Sequence, residues 1–141
     1  MSIRYTADER PDVRSIAALY TAAELRRPVD DLDRIARTYA GSPLVLSAWD
    51  GPRLIGILRG WTDGAYDGYV CDLAVDPEYQ KQGVGRELLH RCVSESAEVQ
   101  WVLRASVIAT DYYAHLGWTR IENGWVWTRE SEAGRSRPGS G

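Results

Sequence analysis

The stretch DPEYQKQGVGRELL, residues 76–89, decides the fold, because it places two glycines one residue apart where an apolar run stops and a helical pattern begins. A residue without a side chain lets the backbone approach a ligand closely. At the start of a helix, several backbone N–H groups point to one spot, with the positive end of the helix dipole behind them. The stretch therefore predicts an anion site, most simply a phosphate site, between a strand and a helix.

The residues before this stretch predict two helices and most of a sheet. Residues 2–6 alternate like a short strand, and apolar residues recur at helical spacing from Asp12 onward and again between a capping Asp30 and Gly41. The runs LVLSAW and RLIGILRGW, joined at Asp50-Gly51, predict a β-hairpin. The run GYVCDLAV, residues 68–75, predicts a further strand of the same sheet.

The residues after the glycines predict further helices and strands. From Gly85, the helical spacing of Leu88, Leu89, Cys92 and Val93 predicts an amphipathic helix. Residues 99–103 predict a buried strand, and a short helix around residues 111–116 ends at Gly117. Residues 119–128 predict a closing hairpin over Asn123-Gly124. The predicted order is β-α-α-β-β-β-α-β-α-β-β, in one domain over residues 1–130, followed by a disordered polar tail at 131–141.

Composition narrows the class of partner. The chain of 141 residues has 44% apolar and 26% charged residues and a net charge of −3, whereas nucleic-acid and anionic-membrane binding rest on clustered Lys and Arg. We therefore expect a small molecule or peptide as partner, with no nucleic acid and no membrane. The two cysteines lack metal-ligand spacing, so no metal is predicted. The N-terminus lacks the apolar core of a signal peptide, so we expect a cytoplasmic protein.

Two common glycine loops do not fit the stretch. A P-loop requires a Gly-Lys-Ser/Thr ending, and the dinucleotide fingerprint requires a third glycine where Leu88 stands. The segment QKQGVG, residues 80–85, instead resembles the acetyl-CoA loop of the GNAT superfamily of N-acetyltransferases, Gln or Arg, two residues, Gly, one residue, Gly or Ala. The segment YYAHLGW, residues 112–118, resembles a second motif of the same superfamily. Within it, the chain looks most like small single-domain enzymes related to plant serotonin N-acetyltransferases.

The resemblance implies a single-domain α/β (α+β) GNAT fold, with a mixed, mostly antiparallel sheet that is splayed in the middle and flanked by helices. It implies acetyl-CoA as co-substrate and transfer of its acetyl group to a primary amine, by direct attack in a ternary complex. The amine is expected to be small, with an arylalkylamine permitted by the aromatic residues. The alternatives are a peptide or lysine acceptor, and a non-catalytic acyl-CoA sensor. We also expect a homodimer.

The resemblance also assigns site residues. Residues expected to contact acetyl-CoA, largely through the backbone, are Leu73, Ala74, Val75, Gln80, Lys81, Gln82, Gly83, Val84, Gly85, Arg86, Ser106 and Tyr112. The N–H of Leu73 would stabilise the oxyanion. Residues expected on the acceptor side are Tyr20, Glu24, Trp61, Tyr69 and Cys71.

Two residues are predicted to be catalytic. Tyr113 is the predicted general acid, because a phenol is protonated at neutral pH and can donate to the leaving thiolate. The alternative for Tyr113 is a core aromatic residue. Asp72 is the predicted general base, and its alternative is a structural carboxylate near a bulge in the strand.

Overall fold

The structure is a computed structural model that describes residues 2–130. Within these residues the chain forms two compact units, which meet at the junction between Arg104 and Ala105 in the sequence. The first unit holds the sheet and three helices, and the second holds a short helix and an irregular segment. Within residues 2–130, no helix has the length and apolar composition needed to cross a bilayer. The predicted tail at 131–141 lies outside the described residues.

The elements follow the order that the sequence predicts as far as the fourth helix. The strands are β1 (Arg4–Thr6), β2 (Leu44–Asp50), β3 (Arg53–Thr62), β4 (Asp67–Val75) and β5 (Gln100–Leu103). The α-helices are α1 (Val13–Ala22), α2 (Leu32–Ala40), α3 (Val84–Val93) and α4 (Thr110–His115). Two short 3₁₀ helices lie at Pro77–Tyr79 and Val107–Ala109.

The five strands form one sheet in the order β1-β2-β3-β4-β5. The first four strands pair antiparallel, and β5 pairs parallel with β4. The hairpin between β2 and β3 turns at Gly51, whose positive φ of 58° suits a glycine. The predicted α+β class, with a mixed and mostly antiparallel sheet, is confirmed.

Helices cover both faces of the sheet in the first unit. On one face, α1 and α2 pack on the strands through a buried cluster that contains Ile16, Tyr20, Ile35, Tyr39, Ile57 and Ala74. On the other face, α3 buries Val84 and Leu88 against β3. A Cβ at Gly56 of β3 would lie 3.0 Å from Val84 Cγ1 and 3.3 Å from Leu88 Cδ1. The glycine therefore lets the first turn of α3 sit directly on the sheet.

Two details differ from the sequence prediction. The cap of α2 is Asp31, whose carboxylate accepts the N–H of Arg34 at 3.1 Å, and not Asp30. The predicted closing hairpin is wrong within the described residues, because no strand follows α4 up to residue 130. Gly124 does not adopt the positive φ that a two-residue Asn-Gly turn requires. A hairpin that is not part of a larger sheet is only marginally stable, so the Asn-Gly signal does not suffice.

Candidate active site

The sheet opens between β4 and β5. The two strands are in register from Asp67 opposite Gln100 to Val70 opposite Leu103, where β5 ends, while β4 continues to Val75. A bulge lies at the point where the strands part, because Arg59 pairs with Asp72 and Gly60 with Val70, which leaves Cys71 as the extra residue. The splayed sheet implied by the resemblance is thus present in the first unit.

The direction of the backbone groups beyond the bulge follows from one hydrogen bond. The N–H of Asp76, just after β4, donates to the carbonyl of Ile55 in β3 at 2.8 Å. Successive N–H groups of a strand point to opposite sides, so Ala74 also faces β3, whereas Leu73 and Val75 direct their N–H groups away from it. These groups point into the opening beside β4.

The glycine turn connects this strand to α3. Lys81 and Gly83 both adopt left-handed backbone conformations, with φ of 64° and 84°, and Gly83 is the N-cap of α3. Asp12 and Asp31 cap α1 and α2 with their carboxylates. Within residues 2–130, no side chain caps the start of α3. Its first-turn N–H groups therefore keep their capacity to bind an anion.

The geometry of the turn fits a phosphate. The first helical hydrogen bond of α3 runs from the N–H of Glu87 to the carbonyl of Gly83 at 2.9 Å, so the N–H groups of Val84, Gly85 and Arg86 have no acceptor within the helix. A Cβ at Gly83 would meet no atom within 4 Å among the described residues. The turn is therefore open at Gly83, next to N–H groups that the helix leaves unpaired, which is the arrangement found where a helix start binds phosphate.

Two glutamines support the turn from behind. Gln80 Nε2 donates to the carbonyl of Val75 at 3.0 Å, and Gln82 Nε2 donates to the carbonyl of Glu78 at 3.1 Å. The first of these bonds ties the turn to the end of β4. In this structure the two glutamine side chains therefore shape the turn.

Charged and aromatic residues fasten the base of the turn to the hairpin of β2 and β3. Arg53 donates to Asp76 Oδ2 at 3.0 Å and to Glu78 Oε2 at 3.1 Å. The Tyr79 hydroxyl donates to Asp50 Oδ2 at 2.5 Å, and the Arg53 guanidinium lies 5.3 Å from the centre of the Tyr79 ring. The turn is thus held in place before any ligand binds.

A buried group of polar side chains lies beside the bulge, around the side chain of Asp72, and we call it the Asp72 cluster. It consists of Tyr20, Arg27, Tyr39, Arg59 and Asp72. Arg27 Nε donates to Asp72 Oδ1 at 2.7 Å, while Arg59 Nε and the Tyr20 hydroxyl donate to Oδ2 at 2.6 and 2.7 Å. The Tyr39 hydroxyl hydrogen-bonds that of Tyr20, and the Asp72 side chain is only 1% exposed.

The electrostatics of the cluster argue against Asp72 as a general base. Burial by itself would raise the pKa of Asp72, but hydrogen bonding to Arg59 and the charges of Arg59 and Arg27 outweigh it and lower the pKa. A carboxylate that accepts four hydrogen bonds from three side chains has little affinity for a further proton. The surroundings favour the alternative reading of Asp72, a structural carboxylate beside the bulge.

Besides Asp72, the other residues of the cluster were assigned differently, or not at all, from the sequence. Tyr20 was predicted to face the acceptor, but it is 1% exposed and its hydroxyl is bound to Asp72, so it forms part of the core. Arg27 and Arg59 were not predicted as site residues. The available signal was a charge inside each of two neighbouring apolar runs, Arg59 in RLIGILRGW and Asp72 in GYVCDLAV, since such opposite charges are paired when buried.

The remaining acceptor-side candidates are accessible. Trp61, Tyr69 and Val102 lie opposite one another across β3, β4 and β5, and their exposed fractions are 48%, 37% and 36%. Trp61 follows Arg59 by two residues, which places this exposed row on the same face of the sheet as the Asp72 cluster. Cys71 is half-buried in the bulge, and burial raises the pKa of its thiol. Glu24 is exposed in the segment after α1.

The second unit contains the predicted acid and two predicted acetyl-CoA contacts. The Tyr113 ring lies 5.3 Å from that of Tyr112 and 6.1 Å from that of Trp118, both in edge-to-face geometry. Burial and the neighbouring Tyr112 raise the pKa of Tyr113, which keeps its hydroxyl protonated at neutral pH. Ser106 is exposed, and its carbonyl accepts the N–H of Ala109 at 3.0 Å. The roles of these residues stay predictions.

Comparison with known proteins identifies the family. The model of the acetyltransferase (GNAT) domain matches residues 16–126, which is most of the chain. A solved structure of a probable acetyltransferase from meticillin-resistant Staphylococcus aureus superposes with a TM-score of 0.76 at 22% identity, covering 91% of this chain and 99% of that one. The chain belongs to the GNAT acetyltransferase family.

The relatives support the same assignment. An uncharacterized N-acetyltransferase of Prochlorococcus marinus is 31% identical over 101 residues, which cover 67% of this chain and 54% of that protein. A chloroplastic GCN5-related N-acetyltransferase of Arabidopsis thaliana is 33% identical over 70 residues, 46% of this chain and 26% of that protein. The matches span a quarter to about half of the length of these relatives. A GNAT acetyltransferase from Brucella melitensis, solved in complex with acetyl-CoA, has a TM-score of 0.65 at 16% identity over 84% of each chain.

Proposed function

We propose that the protein is an acetyl-CoA-dependent N-acetyltransferase that transfers the acetyl group to a primary amine in a ternary complex. One observation carries this proposal: β4 continues past the end of β5 and leads directly into an uncapped glycine turn at the start of α3. The strand offers backbone groups to the amides of the pantetheine arm, and the turn offers backbone N–H groups to the pyrophosphate. Membership of the GNAT family makes acetyl-CoA the ligand that suits both.

Each part of this surface has a task in the reaction. The N–H groups of residues 84–86, with the dipole of α3 behind them, bind the pyrophosphate. The backbone of Leu73, Ala74 and Val75 aligns the pantetheine arm, so that the thioester is held near the bulge. The N–H of Leu73, which points away from β3, donates to the oxygen that becomes negatively charged when the amine attacks the carbonyl carbon.

The route of the amine proton does not pass through Asp72 in this proposal. Its carboxylate is committed to Arg27, Arg59 and Tyr20, and its pKa is lowered. We propose that the amine attacks in its neutral form and that the proton is released to water. A non-catalytic acyl-CoA sensor is the second candidate, because the carboxylate predicted to be the base, Asp72, is engaged in hydrogen bonds within the cluster.

The acceptor is proposed to be a small amine, and the exposed row of Trp61, Tyr69 and Val102 supports an arylalkyl group. An aromatic ring can lie on such a row and remove apolar surface from water at roughly 25 cal/mol per Å². A peptide N-terminus or a lysine side chain remains the alternative acceptor.

The test of the proposed function is CoA release from acetyl-CoA over a panel of arylalkylamines, polyamines, amino acids and short peptides, together with calorimetry of acetyl-CoA binding. We expect binding, and turnover with an arylalkylamine. Binding without turnover across the panel would support the sensor. Absence of acetyl-CoA binding would contradict both readings.

Tyr113 is proposed to protonate the thiolate as the bond from carbon to sulfur breaks. Tyr113→Phe removes one oxygen and keeps the ring in its contacts with Tyr112 and Trp118. We expect kcat to fall roughly 10²-fold, within the range for loss of a general acid, while the affinity for acetyl-CoA stays unchanged. Tyr112→Phe is the matched control. Equal losses of kcat in both variants would show that the damage is to packing.

We also propose that the protein is a homodimer in the cytoplasm. Closed symmetric dimers are the commonest oligomers, and Trp125 in the second unit is 98% exposed. Analytical ultracentrifugation at high micromolar concentration should give a species of twice the chain mass of 15.8 kDa. A single species at the chain mass would contradict the dimer and leave the proposed chemistry unaffected.

A further inference from the structure

We propose that Arg27 is a positioning residue for acetyl transfer, because its guanidinium fixes the bulge of β4 and ties the segment between α1 and α2 to it. This inference rests on the proposed function, in which the backbone just beyond the bulge binds the thioester. It concerns a residue that contacts neither acetyl group nor amine in the proposal, and that acts through the backbone of Cys71.

The bulge needs an external support. Cys71 is the extra residue opposite the pairs of Arg59 with Asp72 and Gly60 with Val70, so its peptide groups are displaced from the regular ladder. The chain is tightly constrained at this point, because a Cβ at Gly60 would lie 2.7 Å from the carbonyl oxygen of Tyr69. A change in the bulge would therefore rotate the peptide groups that follow, including the N–H of Leu73.

Arg27 supplies that support with one planar group. Its Nη2 donates to the carbonyl of Cys71 at 3.1 Å, and its Nε donates to Asp72 Oδ1 at 2.7 Å. Nη2 also contacts Oδ1 of the same carboxylate. A guanidinium is a rigid fork, so the carbonyl of the bulge and the side chain of the next residue are held in a fixed relation.

The other members of the cluster hold the carboxylate still. Arg59 and Tyr20 occupy Oδ2, and Arg59 is braced in turn by a bond from Nη1 to Ser42 Oγ at 3.1 Å. Burial alone would lower the pKa of Arg59, but its hydrogen bond to Asp72 and that carboxylate's charge raise it. Asp72 is therefore a fixed anchor, and Arg27 transmits its position to the bulge.

Arg27 also connects the two sides of the proposed site. It lies between the end of α1 at Ala22 and the start of α2 at Leu32, in a segment that contains the exposed Glu24. The same guanidinium thus sets the bulge, where the thioester is proposed to lie, and the segment expected to face the acceptor. Loss of the fork should affect kcat and the KM for the amine, whereas the pyrophosphate contacts at residues 84–86 should be unaffected.

The experiment compares Arg27→Lys, Arg27→Ala and the matched control Arg26→Met, whose side chain is exposed. The assay uses the panel amine that the wild-type protein acetylates fastest, at a temperature where circular dichroism shows every variant folded. We expect both Arg27 variants to lower kcat roughly 10-fold or more and to raise the KM for the amine, as for a displaced reacting group. Acetyl-CoA affinity should stay within about twofold of the wild-type value, and Arg26→Met should match the wild type.

Chemical rescue separates positioning from general stability. Since the Arg27 side chain is 32% exposed, millimolar guanidinium should reach the space left in Arg27→Ala and restore part of kcat. Wild-type kcat in the Arg27 variants, or a loss that guanidinium does not restore and that parallels a fall in acetyl-CoA affinity, would overturn the inference. Absence of turnover by the wild-type protein would instead overturn the proposed function, and this inference with it.

Discussion

The Asp72 cluster and the glycine turn lie at the two ends of the part of β4 that continues past β5, and they use polar groups in opposite ways. In the cluster, two guanidiniums and a tyrosine hydroxyl satisfy one buried carboxylate. In the turn, the backbone N–H groups at the start of α3 have no acceptor in the helix and no side-chain cap within the described residues. The difference shows which polar groups the fold uses for itself and which it leaves for a ligand.

The start of each helix makes the same distinction on a smaller scale. Asp12 and Asp31 accept N–H groups of their own helices at 2.9 and 3.1 Å. At the corresponding place in α3 stands Gly83, with a left-handed backbone. A capping carboxylate would repel a phosphate from the start of a helix, and α3 carries no such carboxylate at its N-cap.

The largest expected effect is on the free energy of unfolding, and it comes from a change in the Asp72 cluster. Asp72→Asn leaves Arg27 and Arg59 facing a neutral amide, and removal of one partner from a buried ion pair typically costs about 3–5 kcal/mol. We expect the free energy of unfolding in urea to fall by an amount of this order. Asp67→Asn, at an exposed carboxylate of the same strand, should change it by less than about 0.5 kcal/mol. Similar values for the two variants would show that Asp72 is not an anchor.

The next largest effect is expected on the affinity for acetyl-CoA, and it comes from a change in the glycine turn. Gly83→Val places a branched side chain on a left-handed residue and in the open space beside the N–H groups, so we expect acetyl-CoA affinity to fall about 10²-fold. Lys81→Ala should have little effect, because the backbone does the binding. Calorimetry with the opposite ranking would contradict the assignment of the turn.

A third variant of the turn separates strain from obstruction. Gly83→Asn also fills the open space, but asparagine tolerates a left-handed backbone better than valine does. Equal losses of affinity in the two variants would indicate that the side chain obstructs the phosphate. A loss confined to Gly83→Val would indicate that backbone strain moves the start of α3.

The smallest expected effect is the pH dependence of the cluster. The pKa of Asp72 is lowered in the folded protein, so its contribution to stability is present above the ordinary aspartate pKa of about 3.9 and is lost as the pH falls through the lowered value. The free energy of unfolding should therefore fall more steeply below about pH 4 in the wild-type protein than in Asp72→Asn. Parallel curves for the two proteins would contradict the lowered pKa.

Local patterns predicted most of the first unit. The spacing of apolar residues placed α1, α2, α3 and the strands of the sheet, because each pattern describes a surface that must be buried. Residues 80–85 predicted the turn, since two glycines stand one residue apart where an apolar run ends and a helical pattern begins. The residue at which a helix begins was predicted less accurately, since the sequence indicated Asp30 as the cap of α2 and the structure has Asp31.

Patterns failed where the outcome depended on a distant partner. The Asn-Gly pair at 123–124 predicted a hairpin, but a hairpin that joins no larger sheet is only marginally stable. The resemblance predicted a base on the splayed strand, and Asp72 was chosen because it is the one ordinary base among Tyr69, Cys71 and Asp72. Which groups surround that carboxylate depends on residues 45 positions away in the chain, as the bond from Arg27 shows.

By itself, the sequence determined the helices and strands of the first unit, the glycine turn and the GNAT family, because these depend on residues close together in the chain. Only the tertiary structure decided the fate of the polar groups. It showed that Asp72 is paired with Arg27 and Arg59 and that Tyr20 is core, while no side chain within residues 2–130 caps the start of α3. The physical reason is that a buried charge is stable only beside its partners, and packing between distant segments determines whether partners are present.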